Sequence, residues 1–553
     1  MDSLSVASGI TTATAPLPSA ALVPATTGSS GVVVRDMVRR AERLFPTKTA
    51  VVCGEHRLTY SEFGRRARQV AGALCQLGIG KGDRVAALML NCHRYLELYA
   101  GCFELGAVIV PLNVRLAPPE IIYTVNDAGA LALFVDDTLR PLAQAARPGL
   151  TTVRTYVHAS ATGGATPADM RDYDELVSAA EDLHTPPALD EGDIAGLFYT
   201  GGTTGFPKGV MLTNRNLCAN ALNVQGQLHY TSRDVCLHAT PMFHLSGGPL
   251  AWVFFWVGAT HVVQRMFEPV GSFDLVARER VTRVTWVPTM INMLLAHPAV
   301  HTADFSSLKM ITYGASPIAP DRLKEALRVF GCEFAQAFGM TEAAPVLTLL
   351  MPEEHEPEGD ERAVRRLLSC GREIPGVTVR VVNDQGEDVA PGEVGEIIAR
   401  GANIMLGYLR KPAETAAVLR DGWYYSGDLG TMDEDGYVYV VDRKKDMIVS
   451  GGENVYSTEV EAALYSHPAV LEAAAIGVPD AQWGEAVKAI VVLRPDMTAT
   501  ADDLIAHCRT LIAGYKCPRS VDFLDALPKS GANKILKREL REPYWKGYTR
   551  RVN

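Results

Sequence analysis

Short apolar runs and amphipathic runs take turns along most of this chain, and that alternation limits the fold more than any other feature. DRVAALML (83–90) reads as a strand, RYLELYAGCFELGA (94–107) as a helix, and AVIVPLN (107–113) as a strand. PPEIIYTVNDAGA (118–130) and LALFVDD (131–137) continue the pattern as helix and strand. The rhythm returns in RVTWVP (283–288), PTMINMLLAH (288–297), LKMITYGAS (308–316), PDRLKEALRVFG (320–331) and EFAQAFGMTE (333–342). Strands separated by helical stretches cannot pair as hairpins, so they predict parallel sheets covered by helices. After about Ile374 the texture changes to short strands and turns, as in VTVRVVNDQGEDV, EVGEIIARG, WYYSGDLG and DEDGYVYVVDR. This predicts a small β-rich unit attached to the α/β body. Beyond Arg443 another short α/β pattern follows, from TEVEAALYSHPAV to SVDFLDALP. The expected fold class is therefore α/β: a large N-terminal body of helix-covered sheets, a small β-rich subdomain, and a small C-terminal α/β domain.

Within this frame the run YTGGTTGFPKGVMLTN (199–214) carries the clearest chemistry. Gly201, Gly202, Gly205 and Gly209 stand among Thr200, Thr203 and Thr204, with Lys208 near the far end. Glycines let successive backbone N–H groups converge on an anion, threonines add hydroxyl donors, and the lysine adds a mobile positive charge. IAGLFYT before it reads as a buried strand and NRNLCANALNVQGQL after it as a helix. The loop is expected where a strand hands over to a helix, a good place for a polyphosphate. It is not a Walker A loop, because Gly209 follows Lys208 where that motif has Ser or Thr.

The remaining composition narrows the class. With 553 residues, 47% of them hydrophobic, there is room for several buried cores. A formal net charge of -10 without a long basic run argues against a nucleic-acid partner. Ten cysteines form no CxxC pair, which predicts core thiols in a reducing, cytoplasmic setting rather than a zinc site or disulfide framework. PLAWVFFWVGATHVV (249–263) is too short an apolar run for the roughly 20 residues of a transmembrane segment. It reads as a buried helix running into a strand, with peripheral membrane contact left open. Residues 1–30 are rich in Ser, Thr, Ala and Pro and lack Lys and Arg, so they read as a disordered tail and not as a signal or transit peptide.

Read together, the motifs resemble the acyl-adenylate-forming (AMP-binding) superfamily, most closely its fatty-acyl-CoA synthetases, over nearly the whole chain from about residue 31. The phosphate loop of those enzymes often reads TGGTTG, as here. The resemblance implies an N-terminal ATP- and acyl-binding domain at 31–442 and a mobile C-terminal catalytic domain at 443–553. It maps the adenine pocket to Gly314, Ala315 and Phe338, an α-phosphate contact to Thr341, and the magnesium carboxylate to Glu342. A hard dication suits carboxylate and phosphate oxygens. Asp428 would accept from the ribose hydroxyls, and Arg443 would help hold ribose and phosphate. Lys445 occupies the place of the family hinge, and Gly451 and Gly452 would line the pantetheine tunnel after rotation. Lys534, in LPKSGANKILKREL, is the catalytic lysine candidate that would bridge the substrate carboxylate and α-phosphate. Asn533 stands before it where the family usually has Gly.

His244 in PMFHLSGG falls at the mouth of the family's acyl pocket and reads equally as a gate, a carboxylate-orienting group or a packed core histidine. Trp252, Phe254, Phe255, Trp286 and Met290 could line an acyl tunnel or simply fill the core. The implied activity is an ATP-dependent, Mg2+-requiring acyl-CoA synthetase acting on a small-molecule carboxylic acid, with CoA as co-substrate and medium- or long-chain fatty acids favoured. A ligase loading a carrier protein and an aryl or alicyclic acid–CoA ligase stay open, as does a homodimer. A luciferase-like oxygenase would share the first step.

Overall fold

A computed structural model describes residues 31–161, 163–200, 207–248, 251–315, 318, 320–444, 446–450, 453–480, 483–529 and 535–546. Two large sheets dominate it. One has nine strands in the order Arg372–Glu373, Val346–Leu350, Glu333–Gly339, Met310–Gly314, Arg283–Thr285, Val235–His238, Thr260–Val263, Thr49–Cys53 and His56–Thr59. Its centre is parallel and only its edges are antiparallel. The second has eight strands: Gly407–Tyr408, Lys208–Thr213, Ile194–Thr200, Val108–Pro111, Arg84–Leu88, Ala132–Asp136, Thr155–Ala159 and Arg171–Asp172. It is parallel from Ile194–Thr200 onward, and its central strands Val108–Pro111, Arg84–Leu88 and Ala132–Asp136 are mostly apolar and buried on both faces, as parallel strands require.

Helix His93–Leu105 explains how these layers share one core. Every residue in it except Arg94 is buried. Its Tyr99 and Phe103 pack edge-on against Trp252, which stacks on Phe255 at 5.0 Å. Fully burying an apolar side chain contributes on the order of 1.5–3 kcal/mol, so this cluster holds the layers together strongly. Helix Ala251–Val257 and strand Thr260–Val263 fall within the expected 249–263 run. Among the described residues no helix is long and apolar enough to cross a membrane.

A five-stranded antiparallel sheet follows, built from Val377–Val382, Gly395–Gly401, Leu419–Arg420, Trp423–Met432 and Val438–Arg443. The last sheet joins Ile448–Ser450, Glu453–Val455, Val470–Asp480, Gly484–Leu493 and Ser520–Phe523, with helices Ser457–Tyr465, Ala501–Leu511 and Lys537–Trp545 beside it.

The helix expected at NRNLCANALNVQGQL is present as Asn214–Leu228, but the loop does not lead straight into it. Strand Lys208–Thr213 comes between, pairing back antiparallel with Tyr199 opposite Gly209 and Thr200 opposite Lys208. The phosphate-loop residues thus connect two adjacent strands. Val210, Met211, Leu212 and Thr213 are buried on both faces of the sheet, which favours an extended backbone there. Helix Asn214–Leu228 starts only after Thr213, whose side chain accepts from the Asn216 amide in a capping box. Any anion held by the loop is therefore not held by that helix's N-terminus.

Candidate active site

The hairpin stem is anchored from outside. The Tyr199 hydroxyl donates to Asp127 Oδ2 at 2.7 Å, and burial, then the Asp127 charge, pushes the phenol pKa up. A Cβ at Gly209 would come within 2.9 Å of the Tyr199 ring, so the cross-strand contact requires glycine. Beyond the stem, Lys208 Nζ lies 4.9 Å from the centroid of the Tyr408 ring. The loop candidates Gly201, Gly202, Thr203, Thr204 and Gly205 lie outside the described residues.

Strand Gly407–Tyr408 adds to the edge of the same sheet, with Tyr408 opposite Val210. The Tyr408 hydroxyl donates to Glu342 Oε1 at 2.9 Å, and the Met405 amide donates to the Glu342 carbonyl at 2.8 Å. Glu342 sits in a short 3-10 turn, Thr341–Ala343, immediately after the Glu333–Gly339 strand, so Thr341 and Glu342 project from one place. Across the neighbouring antiparallel sheet, Asp428 stands opposite Arg443 and pairs with its guanidinium. Asp428 is only 2% exposed, and its amide donates to Ser426 Oγ at 3.0 Å, which fixes the turn of chain that carries it. Burial alone would lower the Arg443 pKa; Asp428, Tyr424 and Glu342 outweigh it and raise it, which shows these groups to be electrostatic neighbours. Burial and then Glu342 likewise push the Tyr408 phenol up, so it stays a hydrogen-bond donor at neutral pH. The structure thus ties Lys208 and Glu342 to Tyr408 and pairs Asp428 with Arg443, with Glu342 and Arg443 close enough to feel each other's charge. Sequence reasoning missed Tyr408 and Tyr424. The only signal was their position in GYL and WYYSGD, two ordinary strand patterns.

Gly314 and Phe338 lie at the carboxyl ends of adjacent parallel strands, with Gly314 opposite Ala337. A Cβ at Gly314 would fall 2.0 Å from the Ala337 carbonyl oxygen, so the two backbones meet only because the residue is glycine. Ala315 follows with φ +68°, in the left-handed region. Ligands of open α/β sheets collect at such strand ends.

His244 is half-buried with its ring 4.4 Å from that of Phe243, and its carbonyl accepts from the amides of Gly247 and Gly248. The turn it closes walls a small cavity lined by Cys236, Leu237, His238, Thr240, Ser246, Gly247, Ala251, Phe254 and Thr285. Of the tunnel aromatics only Phe254 borders it. Trp252, Phe255 and Trp286 are fully buried and Met290 is 4% exposed, each within a packed core cluster.

Lys445, Gly451, Gly452 and Lys534 lie outside the described residues. Around them, Asp442 accepts from Ser457 Oγ at 2.8 Å, and Lys537 Nζ lies 2.8 Å from Glu461. Strand Ile448–Ser450 pairs with Glu453–Val455 and with Gly484, inside the C-terminal sheet rather than against the body. Among the described residues no group of three or more His, Cys, Asp or Glu could by itself hold a metal ion.

A two-sheet α/β body, a cluster of charged residues beside it and a small C-terminal α/β domain define the adenylate-forming class of enzymes. Residues 38–409 match the model of the AMP-binding enzyme family, and residues 459–534 match that of the AMP-binding enzyme C-terminal domain. The chain belongs to the AMP-binding enzyme family. It is 42% identical over 511 residues to a feruloyl-CoA synthase of Amycolatopsis sp, covering 92% of this chain and 98% of that one. It is 37% identical over 515 residues to the fatty acid–[acyl-carrier-protein] ligase ScoC of Streptomyces coeruleorubidus, covering 92% and 96%. Among solved structures, ATP-bound MatB from Rhodopseudomonas palustris aligns with a TM-score of 0.83 at 30% identity, covering 94% of this chain and 100% of that one.

Proposed function

We propose that this acid–CoA ligase activates an aryl-substituted carboxylic acid as its acyl-adenylate and then passes the acyl group to CoA. A carboxylate is a poor acyl donor because oxide is a hopeless leaving group. Attack of its oxygen on the α-phosphorus of ATP expels pyrophosphate, and the resulting mixed anhydride then loses AMP when the CoA thiolate attacks its carbonyl carbon. The observation that carries the nucleotide half is the tie of Glu342 and Lys208 to Tyr408, with the Asp428–Arg443 pair as electrostatic neighbour of Glu342.

In this reading Asp428 accepts from the ribose hydroxyls and Arg443 lies over the ribose and phosphate. Gly314, Ala315 and Phe338 flank the adenine. Thr200, Lys208 and the glycines and threonines at 201–205 hold the phosphates, and Thr341 reaches the α-phosphate. Glu342 is a carboxylate already oriented by one phenol, and among the described residues it belongs to no group of three or more His, Cys, Asp or Glu that could hold a metal ion. That donor set fits Mg2+, which keeps several waters and takes substrate phosphates as ligands, and fits poorly with a metal held by protein alone. When bound, the ion would neutralise charge on the phosphates. Lys534 is the cation expected to stabilise charge on the α-phosphate and carboxylate oxygens in the adenylation transition state. Lys445 is the proposed hinge, and Gly451 and Gly452 the proposed wall of the thiol path.

The acid is proposed to enter past His244 toward this cavity, whose volume of about 10 Å³ admits about one water, so the side chains lining it must move apart before an acid can bind. His238, Thr240, Ser246 and Thr285 put polar atoms among its apolar walls. A long methylene chain gains nothing from such groups, whereas a hydroxylated ring can meet those not already engaged, as His238 is with His261 and Thr240 with the Ser246 carbonyl. The likeness to a feruloyl-CoA synthase supports this acid class, and the likeness to ScoC supports fatty acids and a carrier-protein acceptor as the second reading. Comparing kcat/KM for a hydroxycinnamate and for dodecanoate, each with CoA and with a carrier protein, tests the choice. Preference for dodecanoate or for the carrier would reverse it.

A further inference from the structure

Tyr408 touches both charged groups on which the phosphate and metal assignments rest. It is 6% exposed and cannot drift relative to the hairpin. On either side of it, the Leu406 amide donates to the Met211 carbonyl at 3.0 Å and the Leu409 amide to the Gly209 carbonyl at 2.8 Å. Its own amide donates to Thr415 Oγ1 at 2.9 Å, which in turn donates to the Lys411 carbonyl at 2.8 Å. The ring is therefore set by the strand that begins with Lys208, while its hydroxyl reaches a residue 66 positions earlier in the chain.

We propose that Tyr408 is a positioning residue with two separable tasks: its hydroxyl fixes the Glu342 carboxylate for the metal, and its ring face holds the Lys208 ammonium for the phosphates. The inference rests on the nucleotide reading above. An ionised carboxylate only accepts, so a phenol donating to Oε1 satisfies one oxygen and fixes the plane of the group, leaving Oε2 to be presented in a set direction. Partners of this kind are usual behind metal-binding carboxylates. The negative face of the ring attracts a cation independently of the hydroxyl, so Lys208 is drawn to one side of the site before substrate arrives. One side chain would thus set the spacing between a metal and a cation that must act on the same phosphates.

The test uses the full chain and the variants Tyr408→Phe, Tyr408→Leu and Glu342→Gln. Two equilibrium readouts are taken: Mn2+ binding in the presence of ATP, followed by electron paramagnetic resonance, and ATP binding in EDTA, followed by calorimetry. Tyr408→Phe should weaken Mn2+ binding by about 10- to 100-fold, the usual cost of losing such a partner. It should leave metal-free ATP binding within about two-fold, because the ring is retained. Tyr408→Leu should show the same metal defect and also loosen metal-free ATP by about 2- to 30-fold. Should the leucine variant not fold, Tyr408→Met, equally without a ring face, takes its place. In a Glu342→Gln background, Tyr408→Phe should cost Mn2+ binding nothing further. The proposal is overturned if Tyr408→Phe leaves Mn2+ binding intact while Glu342→Gln abolishes it, or if Phe and Leu loosen metal-free ATP equally. If Glu342→Gln itself leaves Mn2+ binding intact, the metal reading falls and takes the hydroxyl's task with it.

Discussion

Replacing Asp428 by Asn removes one negative charge and one acceptor from a group that is 2% exposed, without changing its shape. If Asp428 accepts from the ribose hydroxyls, the carboxylate makes two charge-assisted bonds, and Asn can keep only the one that reaches its carbonyl oxygen. A hydrogen bond to a charged group is worth about 1.5–3 kcal/mol, so losing one should weaken ATP binding by about 10- to 150-fold. The Arg443 guanidinium left behind keeps Glu342 and Asp446 as charged neighbours, and its side chain, 42% exposed, retains contact with water. Stability should accordingly change much less than ATP affinity. The assay is the KM for ATP in acid-dependent pyrophosphate release, with thermal melting alongside. Comparing ATP with 2′-deoxy-ATP and 3′-deoxy-ATP then closes the argument as a cycle. The wild type should lose affinity for each deoxy-nucleotide, and the Asn variant should lose distinctly less for at least one of them. Equal losses in both proteins would mean that Asp428 does not meet the ribose, whatever the variant does to KM.

Three further outcomes are expected. Lys534→Ala should slow adenylate formation by at least about 10²-fold, the scale of one lost charge-stabilising group, while thioester formation from pre-made acyl-adenylate survives; equal loss in both half-reactions, measured by quenched flow, would remove the lysine from its role. Gly314→Ala should abolish ATP binding or misfold the strand ends, because its Cβ would meet the Ala337 carbonyl oxygen at 2.0 Å; a variant that binds ATP normally by calorimetry contradicts the adenine assignment. Burial holds His93, His238 and His355 neutral, with pKa values lowered to about 3, about 4 and about 4. The unfolded chain then binds more protons, so stability is full above about pH 6.5 and falls with pH toward 4, by about 1.4 kcal/mol per pH unit for each group. Urea unfolding at pH 7 and pH 5 checks this, and an unchanged midpoint would refute it.

Much of the body was legible because its signals are local. The run from DRVAALML to EFAQAFGMTE places strands such as Arg84–Leu88 and helices such as Pro320–Phe330 by periodicity alone. The strand between loop and helix was missed because four apolar-to-polar residues, VMLT, carry too short a period of their own, and only cross-strand pairing with Phe198, Leu197, Gly196 and Ile194 makes them a strand. Tyr408 was invisible for a related reason. Its neighbours Val210 and Glu342 are far away in sequence, and the edge strand that joins them is two residues long. The aromatic candidates show the converse limit. Trp252 faces helix His93–Leu105 and Phe255 stacks on Phe63 and His261, while Phe254 faces the cavity, a division that follows from helical phase only once the partner surfaces are known.

The most direct measurement is pyrophosphate release from Mg-ATP across a panel of hydroxycinnamic, benzoic and C4–C16 aliphatic acids, with and without CoA. Turnover confined to one acid class, with AMP and the acyl-CoA accumulating only when CoA is present, is the predicted result. Absence of pyrophosphate release with every acid, under conditions where ATP binds, would contradict the central claim that this site joins a carboxylate to AMP.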